Sequence, residues 1–180
     1  FGDVSRNQTQ ERLVRELCRV WIEFERRLHK VPIVTKLDSG RFDEGDYRAL
    51  LLNLRPQVIL GASWMARMIS NFTPDNVAVR TWCLEHAVYG HTDYRMLDAD
   101  YVASGGALEE IQQAQPNVGT EALSAWMYQR ADQENPFDLL GAMYVIEGLS
   151  SRLSGRWRRS LADRLGMKDE QLSFPSHHAK

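Results

Sequence analysis

The amino-acid sequence predicts an all-α fold, a bundle of six or seven helices. Apolar residues recur every three or four positions through most of the chain, which is the period of a helix that buries one face. Glycine and proline cluster only between these segments, and no pair of alternating segments indicates a β-hairpin. The 180 residues, 43% of them hydrophobic, are enough for one core and too few to argue for two domains.

The first part of the chain predicts two long helices. The first runs from about residue 10 to residue 30, and Pro32 ends it. Its apolar stripe comprises Leu13, Leu17, Val20, Trp21, Phe24 and Leu28. The second runs from about 44 to 71, with Asp43 as its N-cap and a kink at Pro56, because proline removes a backbone donor.

The remaining part predicts one more continuous helix and several that follow it. The sequence Thr73-Pro74-Asp75 begins a helix that we expect to continue to about Ser104 and to stop at Gly105-Gly106. Shorter helices follow at about 108–113 and 120–130, and a long one at about 138–165. Gly166 ends this last helix.

Composition excludes several classes of partner and location. The formal net charge is −2, so no basic field would draw the chain onto nucleic acid or an anionic membrane. Cys18 and Cys83 have no metal-binding spacing and are interpreted as free thiols, which favours a cytoplasmic protein. No apolar run would span a membrane, and no secretory signal is recognisable. Residues 1–180 are expected to form one domain, and one interpretation is that it is truncated at both ends.

Glu147 is the first candidate for a functional residue. It lies in the uncharged, largely apolar run 139–149 and shares a helical face with Tyr144, so we expect it to be buried. A buried carboxylate needs a compensating cation. Two interpretations remain open: an ion pair with a nearby arginine, such as Arg152 or Arg156, or a metal ligand.

The run LEHAVYGHTDYRMLDADY, residues 84–101, contains oxygen and imidazole donors suited to iron, manganese or zinc. They are Glu85, His86, His91, Asp93, Asp98 and Asp100. On one continuous helix His91 faces inward, either as a ligand or as a hydrogen-bonded core histidine. Glu85 is displaced from it by roughly 120°, so both reach one site only if a π-bulge distorts the helix near Gly90. The same phase puts His86, Asp93 and Asp100 on the solvated face.

Other histidines and arginines have less specific interpretations. His177 and His178 are either further ligands or part of an unstructured tail. His29 complements the end of the first helix as a cationic cap. Arg156, Arg158 and Arg159 surround Trp157 in a basic patch that is either solvated or docks an acidic partner. Motifs for nucleophilic hydrolysis, phosphate binding, EF-hand calcium and HExxH zinc sites are missing.

Two segments resemble the haem-oxygenase-like superfamily. Residues 21–67, WIEFERRLHKVPIVTKLDSGRFDEGDYRALLLNLRPQVILGASWMAR, resemble its first two helices. Residues 141–155, GAMYVIEGLSSRLSG, resemble its later core helix. The resemblance covers most of the chain, is carried by diffuse patterns, and implies an all-α haem-oxygenase-like bundle.

The ligand pattern separates the branches of that superfamily. Haem oxygenases carry a histidine on the first helix a few residues before the equivalent of Pro32, where this chain has Glu25, with His29 nearer the helix end. TenA-type thiaminases use a cysteine on a later helix than those of Cys18 and Cys83. The resemblance therefore disfavours both of these activities.

The non-haem iron oxidases and oxygenases are more similar. Tyr89-Gly90-His91 followed by MLDADYVASGG resembles their third helix, and Glu147 in YVIEG resembles a ligand glutamate. The segment Phe174–Lys180 is similar to the start of their final motif, with His178 as its first histidine. Ala87, Val88 and Tyr89 stand where that family has glutamates, which leaves Glu85 as a substitute.

The resemblance implies an iron-dependent non-haem oxidase or oxygenase that acts on a small organic substrate with dioxygen. Glu147, His91, His178 and Glu85 would hold one or two irons. The substrate pocket would be lined by Trp64, Met65, Met143 and Tyr144. One alternative is a haem-binding or haem-degrading oxygenase with His29 as ligand. Another is a non-catalytic helical interaction domain that has lost its metal site and binds through the patch at Arg158, and a homodimer is an additional hypothesis.

Overall fold

The computed structural model describes the backbone of residues 2–179 and the side chains of residues 7–179. Within these residues the chain forms nine α-helices, two 3₁₀ helices and no β-strand. The α-helices are α1 (Gly2–Leu28), α2 (Pro32–Asp38), α3 (Glu44–Ser70), α4 (Val77–Gly90), α5 (Tyr94–Ala103), α6 (Leu108–Gln112), α7 (Val118–Ala131), α8 (Asp138–Leu165) and α9 (Ser173–His177). The 3₁₀ helices are Pro74–Asn76 and Asp169–Gln171. The predicted all-α class is confirmed.

The helix count exceeds six or seven for an identifiable reason. The helix expected to run from Thr73 to Ser104 is divided, because α4 ends at Gly90 and α5 begins only at Tyr94. Two short helices, α2 and α9, also form in segments where the sequence pattern predicts none. The three-residue break between α4 and α5 changes the direction in which every later side chain of this region points.

Helix ends follow the local signals in the sequence. The carboxylate of Asp43 accepts a hydrogen bond from the backbone N–H of Asp46 at 2.8 Å. The Asp46 carboxylate in turn accepts one from the backbone N–H of Asp43, and the two bonds form a capping box at the start of α3. Gly166 ends α8 with a φ of 64°, in the left-handed region that glycine adopts without steric cost. Pro56 lies inside α3, as predicted.

The core has two parts, and α3 contributes to both. One cluster of buried residues comprises Leu37, Phe42, Tyr47, Leu51, Leu97, Tyr101, Ile111, Leu161, Met167 and Leu172. The other comprises Trp64, Met65, Met68, Ile69, Phe72, Cys83, Met127, Ala131, Leu139 and Met143. Because α3 is long enough to reach both, its two halves connect the C-terminal segment to the packing of α4, α7 and α8.

Asp100 holds the C-terminal segment against α5. Its side chain is fully buried and accepts the backbone N–H of Ser173 at 2.8 Å and that of Phe174 at 2.9 Å. The hydroxyl of Ser173 donates to the same carboxylate at 2.5 Å, and that of Tyr47, which donates to the carbonyl oxygen of Gln171 at 2.7 Å, lies 3.5 Å from it. Burial raises the pKa of Asp100, and these four donors act in the opposite direction. The carboxylate thereby fixes where α9 begins.

Helix α1 packs on α8 through one aromatic side chain. Trp21 is buried, and the guanidinium of Arg152 lies 4.8 Å from the centre of its ring. A Cβ atom at Gly148 would lie only 2.7 Å from that ring, so the close approach of the two helices requires a glycine. Among residues 2–179, none of the helices has both the length and the apolar character of a membrane-spanning segment.

Gly148→Ala should destabilise the protein by about 1–3 kcal/mol, because the added methyl group overlaps the indole of Trp21. Gly141→Ala is the matched control in the same helix, where a Cβ atom would meet nothing within 4 Å. It should stabilise the protein by about 0.5–1 kcal/mol through helix propensity. Urea denaturation of both variants measures the difference, and equal effects of the two would contradict the contact between α1 and α8.

Asp100→Asn should cost about 2–3 kcal/mol, because an amide has one acceptor oxygen and leaves a backbone N–H of Ser173 or Phe174 without a partner. The effect should be concentrated in residues 169–179, whose amide hydrogen exchange should accelerate. Asp163→Asn, at an exposed position of α8, is the control and should change neither the free energy of unfolding nor the amide exchange of residues 169–179. Unchanged exchange in residues 169–179 of the Asp100 variant would contradict the anchoring role.

Candidate functional site

Five titratable side chains from four parts of the chain meet beside α8. They are His86 on α4, Asp93 in the break before α5, Glu147 on α8, and His177 and His178 at the end of α9. We call them the polar cluster. The Nε2 atom of His86 lies 3.1 Å from Oε1 of Glu147, and Nε2 of His178 lies 3.4 Å from Oδ2 of Asp93. The two pairs also interact electrostatically with each other, since Glu147 acts on both Asp93 and His178.

Asp93 owes its position to the break between α4 and α5. It stands immediately before α5, where an aspartate commonly accepts a backbone N–H of the first helical turn. Its carboxylate makes no such bond and faces His178 instead, although the residue is only 8% exposed. Because Asp93 does not cap its own helix, its carboxylate is available to interact with the other side chains of the polar cluster.

Burial and pairing shift the pKa values of the polar cluster in identifiable directions. The hydrogen bond to Glu147 raises the pKa of His86, and the charge of that carboxylate adds to the effect. Burial raises the pKa of Asp93, against the favourable charges of His178 and His177. Burial also lowers the pKa of His178, which outweighs the opposite effect of Asp93. The polar cluster thus shifts the pKa values of two of its imidazoles in opposite directions, upwards for His86 and downwards for His178.

Two imidazole nitrogens of the polar cluster lack a hydrogen-bond partner. The Nε2 atoms of His177 and His178 are both buried, and neither makes a hydrogen bond. His178 is within ion-pair distance of Asp93, but the direction of that contact is not that of a hydrogen bond. Buried polar atoms are rarely left unpaired in folded proteins, so these two nitrogens require an explanation.

Aromatic rings hold three of the imidazoles in place. The ring of Trp82 stacks on His86 with centroids 5.6 Å apart, and that of Tyr89 stacks on His177 at 5.3 Å. The ring of Phe174 lies 4.4 Å from that of His178. Each of these histidines is therefore restrained from one side by a ring.

Of the residues predicted as metal ligands, Glu147 and His178 belong to the polar cluster. The expected burial of Glu147 is wrong, since its side chain is 48% exposed. Its partner is His86 rather than an arginine: Arg152 lies over Trp21, and Arg156 lies 3.7 Å from Asp38. The expectation of an unstructured tail is also wrong, because His177 and His178 are packed at the end of α9.

Glu85 and His91, the other two predicted ligands, lie outside the polar cluster. Glu85 is on the exposed face of α4. His91 is exposed in the break, and its Nδ1 atom lies 2.7 Å from the carbonyl oxygen of Val88. The residues that the structure puts in the cluster are His86 and Asp93, which a continuous helix would have placed on the solvated face. The signal for the break is Gly90 followed by Thr92 and Asp93, a helix stop followed by helix-start residues.

The donor types of the polar cluster suit a divalent first-row metal. Imidazoles and carboxylates together are the ligands of non-haem iron and manganese sites. The Nε2 atoms of His177 and His178 are imidazole donors that make no hydrogen bond within the protein. Among the side chains that the structure describes, however, no three His, Cys, Asp or Glu residues are close enough to hold an ion as they stand. The residue types are therefore suited to a metal, but an ion would have to separate the His86–Glu147 and His178–Asp93 pairs.

The residues of the alternative sites are engaged elsewhere. The Nδ1 atom of His29 lies 2.7 Å from Oδ2 of Asp38, in a group apart from the polar cluster. In the basic patch, Arg158 donates to Ser176 at 2.7 Å and also pairs with Asp169, so it fastens the C-terminal segment to α8.

An open cavity of about 320 Å³ lies at α2, lined by Pro32, Thr35, Lys36 and Arg41.

The residues predicted to line a substrate pocket lie in the core beneath the polar cluster. Trp64, Met65 and Met143 are buried together with Cys83, and Tyr144 is partly buried. Cys83 and Met143 are one helical turn from His86 and Glu147 respectively. The indole Nε1 of Trp64 is buried without a hydrogen-bond partner. This N–H is a hydrogen-bond donor without a partner in an apolar part of the core.

Glu147→Gln should lower the pKa of His86, because the neutral amide no longer stabilises the imidazolium. Because the pKa of His86 is raised in the folded protein, the stability contributed by its pair with Glu147 is fully present below the ordinary imidazole pKa. It is lost as the pH rises through the raised pKa of His86. The variant should therefore be more destabilised at about pH 5.5 than at about pH 9. Histidine NMR titration and thermal unfolding measure both effects, with Glu121→Gln on α7 as control. An unchanged His86 titration would contradict the pairing.

Comparison with known proteins identifies the fold. No protein-family model matches the chain, and no curated protein matches it in sequence. A solved structure that is similar to it is a domain of unknown function with a haem oxygenase-like fold from Shewanella denitrificans OS217. The TM-score is 0.81 at 18% sequence identity, and the match covers 95% of this chain and 72% of that chain. The chain therefore has a haem-oxygenase-like fold.

Proposed function

We propose that the polar cluster is a metal centre for one or two irons and that the protein is a non-haem oxidase or oxygenase. Its substrates would be dioxygen and a small organic molecule. The ligands in this proposal are Glu147 and His178, which the sequence predicts, together with His86 and Asp93. The observation that carries it is the buried, unpaired Nε2 atom of His178, which lies 3.4 Å from the buried carboxylate of Asp93.

The electrostatics of Asp93 supports a cation at this position. Its carboxylate is buried, and the neighbouring charge of Glu147 makes ionisation still less favourable. The imidazoles of His177 and His178 offset this only in part, since the pKa of Asp93 remains raised. A divalent cation between the two carboxylates would compensate both charges, as in other sites where acidic residues share a ligand.

The chain's own residues would have distinct roles around such an ion. Glu147 and Asp93 supply anionic oxygens, while His86 and His178 supply neutral nitrogens. Trp82 and Phe174 restrain the two imidazoles. A non-haem iron held by these residues would supply redox chemistry with dioxygen. Trp64, Met65 and Met143 would form the apolar side of the site, because they are buried together with Cys83, which is one helical turn from His86.

Protein produced in iron-rich medium should contain about one or two irons per chain and no Soret band. Elemental analysis and the visible spectrum measure this. Asp93→Asn and His178→Ala should each lower metal content by about tenfold or more, since each removes a ligand. Circular dichroism and thermal unfolding of the same variants establish that they remain folded.

Three variants act as matched controls. Glu85→Gln and His91→Ala change the predicted donors that lie outside the polar cluster, and they should leave metal content unchanged. His29→Ala should also leave it unchanged, whereas a Soret band that is lost in this variant would favour the haem alternative. Absence of metal and of haem from the wild-type protein would overturn the proposal and favour a non-catalytic helical domain.

A further inference from the structure

Trp82 connects the polar cluster with solvent. It lies one helical turn before His86 on α4, and the two rings stack with their centroids 5.6 Å apart and their planes inclined by 22°. A separation of this size is typical of aromatic rings in contact. The Nε2 atom of His86 lies 3.1 Å from Glu147, while Trp82 is 49% exposed. One imidazole therefore joins a ring at the surface to the residues proposed to hold iron.

The other four tryptophans lack one of these two properties. Trp21 and Trp64 are only 3% and 2% exposed. The indole N–H of Trp157 is buried. Trp126, on α7, is 47% exposed, but its ring contacts no other aromatic ring among the side chains that the structure describes. Trp82 is therefore the tryptophan that combines exposure with contact to the polar cluster.

Tyr89 has a similar setting but a different partner. It is 64% exposed, and its ring stacks on His177. His177 is not one of the four proposed ligands, whereas the indole of Trp82 lies directly on one of them. The most direct path between the proposed metal centre and the surface therefore runs through Trp82 and His86.

Oxygenation requires a route for electrons. When one atom of dioxygen enters an organic substrate and the other leaves as water, the reaction consumes two electrons and two protons from an external donor. Indole and phenol are the aromatic side chains that undergo one-electron oxidation, and they do so only with strong oxidants. A relay through an indole therefore acts while dioxygen is being reduced and not in the resting protein.

We propose that Trp82 is a one-electron relay between the polar cluster and a reductant in solution. This inference rests on the proposed function. The indole gives one electron to the polar cluster through His86 and releases its Nε1 proton to solvent, which leaves a neutral indolyl radical. A hydrogen-atom donor of the ascorbate class then returns one electron and one proton to the indole. Two such cycles supply both electrons, and the two protons released match those consumed as water forms.

Freeze-quench electron paramagnetic resonance tests the relay. Iron(II)-loaded protein is mixed with dioxygen without a reductant, and the wild-type chain should give an indolyl radical signal that ascorbate abolishes. Trp82→Phe should lose the signal, because phenylalanine keeps a ring on His86 but resists oxidation. Trp82→Tyr should restore a radical, now of the tyrosyl type. Trp126→Phe is the matched control at a tryptophan of nearly equal exposure, and it should leave the wild-type signal unchanged.

Mass spectrometry of the same samples locates the oxidation. After repeated exposure to dioxygen without ascorbate, Trp82 should gain oxygen in several-fold higher yield than Trp126, since of these two only Trp82 contacts a proposed ligand. Equal oxidation of the two would mean that exposure alone decides the yield, and it would overturn the relay.

The outcomes separate this inference from the proposed function. Wild-type protein that binds no iron would overturn both. Equal iron content and equal radical signals in the wild-type chain and Trp82→Phe would overturn the relay alone. Loss of iron from Trp82→Phe would show that the indole only positions His86, and it would overturn the relay as well.

Discussion

The fully buried carboxylate of Asp100 is the interaction on which the rest of the structure depends. It accepts two backbone N–H groups and the Ser173 hydroxyl from the segment that begins α9, and the Tyr47 hydroxyl of α3 lies 3.5 Å away. Because Ser173 lies 73 residues away in the chain, this single side chain closes the bundle. Together with the contacts of Arg158 to Ser176 and Asp169, it sets the position of His177 and His178 relative to Asp93.

The break between α4 and α5 is the second constraint, and it creates the polar cluster. A continuous helix would have directed His91 inward and Asp93 outward. With three residues outside the helix, Asp93 becomes buried and His91 becomes exposed. His86 remains on α4 and meets Glu147 across the gap to α8. The site therefore combines two side chains from inside helices, His86 and Glu147, with three at helix ends, where the backbone changes direction.

Similarity of fold carries limited information about chemistry in this architecture. The similar structure has the same haem-oxygenase-like fold and is itself a domain of unknown function. A common fold supports many activities, so function has to be argued from the side chains that the fold brings together. Here that argument rests on the buried, unpaired Nε2 atom of His178 beside Asp93 and on the neighbouring pair of His86 and Glu147.

The sequence by itself determined the helical class, the cap at Asp43, the end of α8 at Gly166 and the donor character of Glu147 and His178. These features depend on residues within a few positions of each other, where helix periodicity and capping chemistry act. The tertiary structure alone decided that His86 and Asp93 join them and that Glu85 and His91 do not. A short break resets helix phase, and contacts such as that of Asp100 with Ser173 join distant parts of the chain, which local periodicity does not encode.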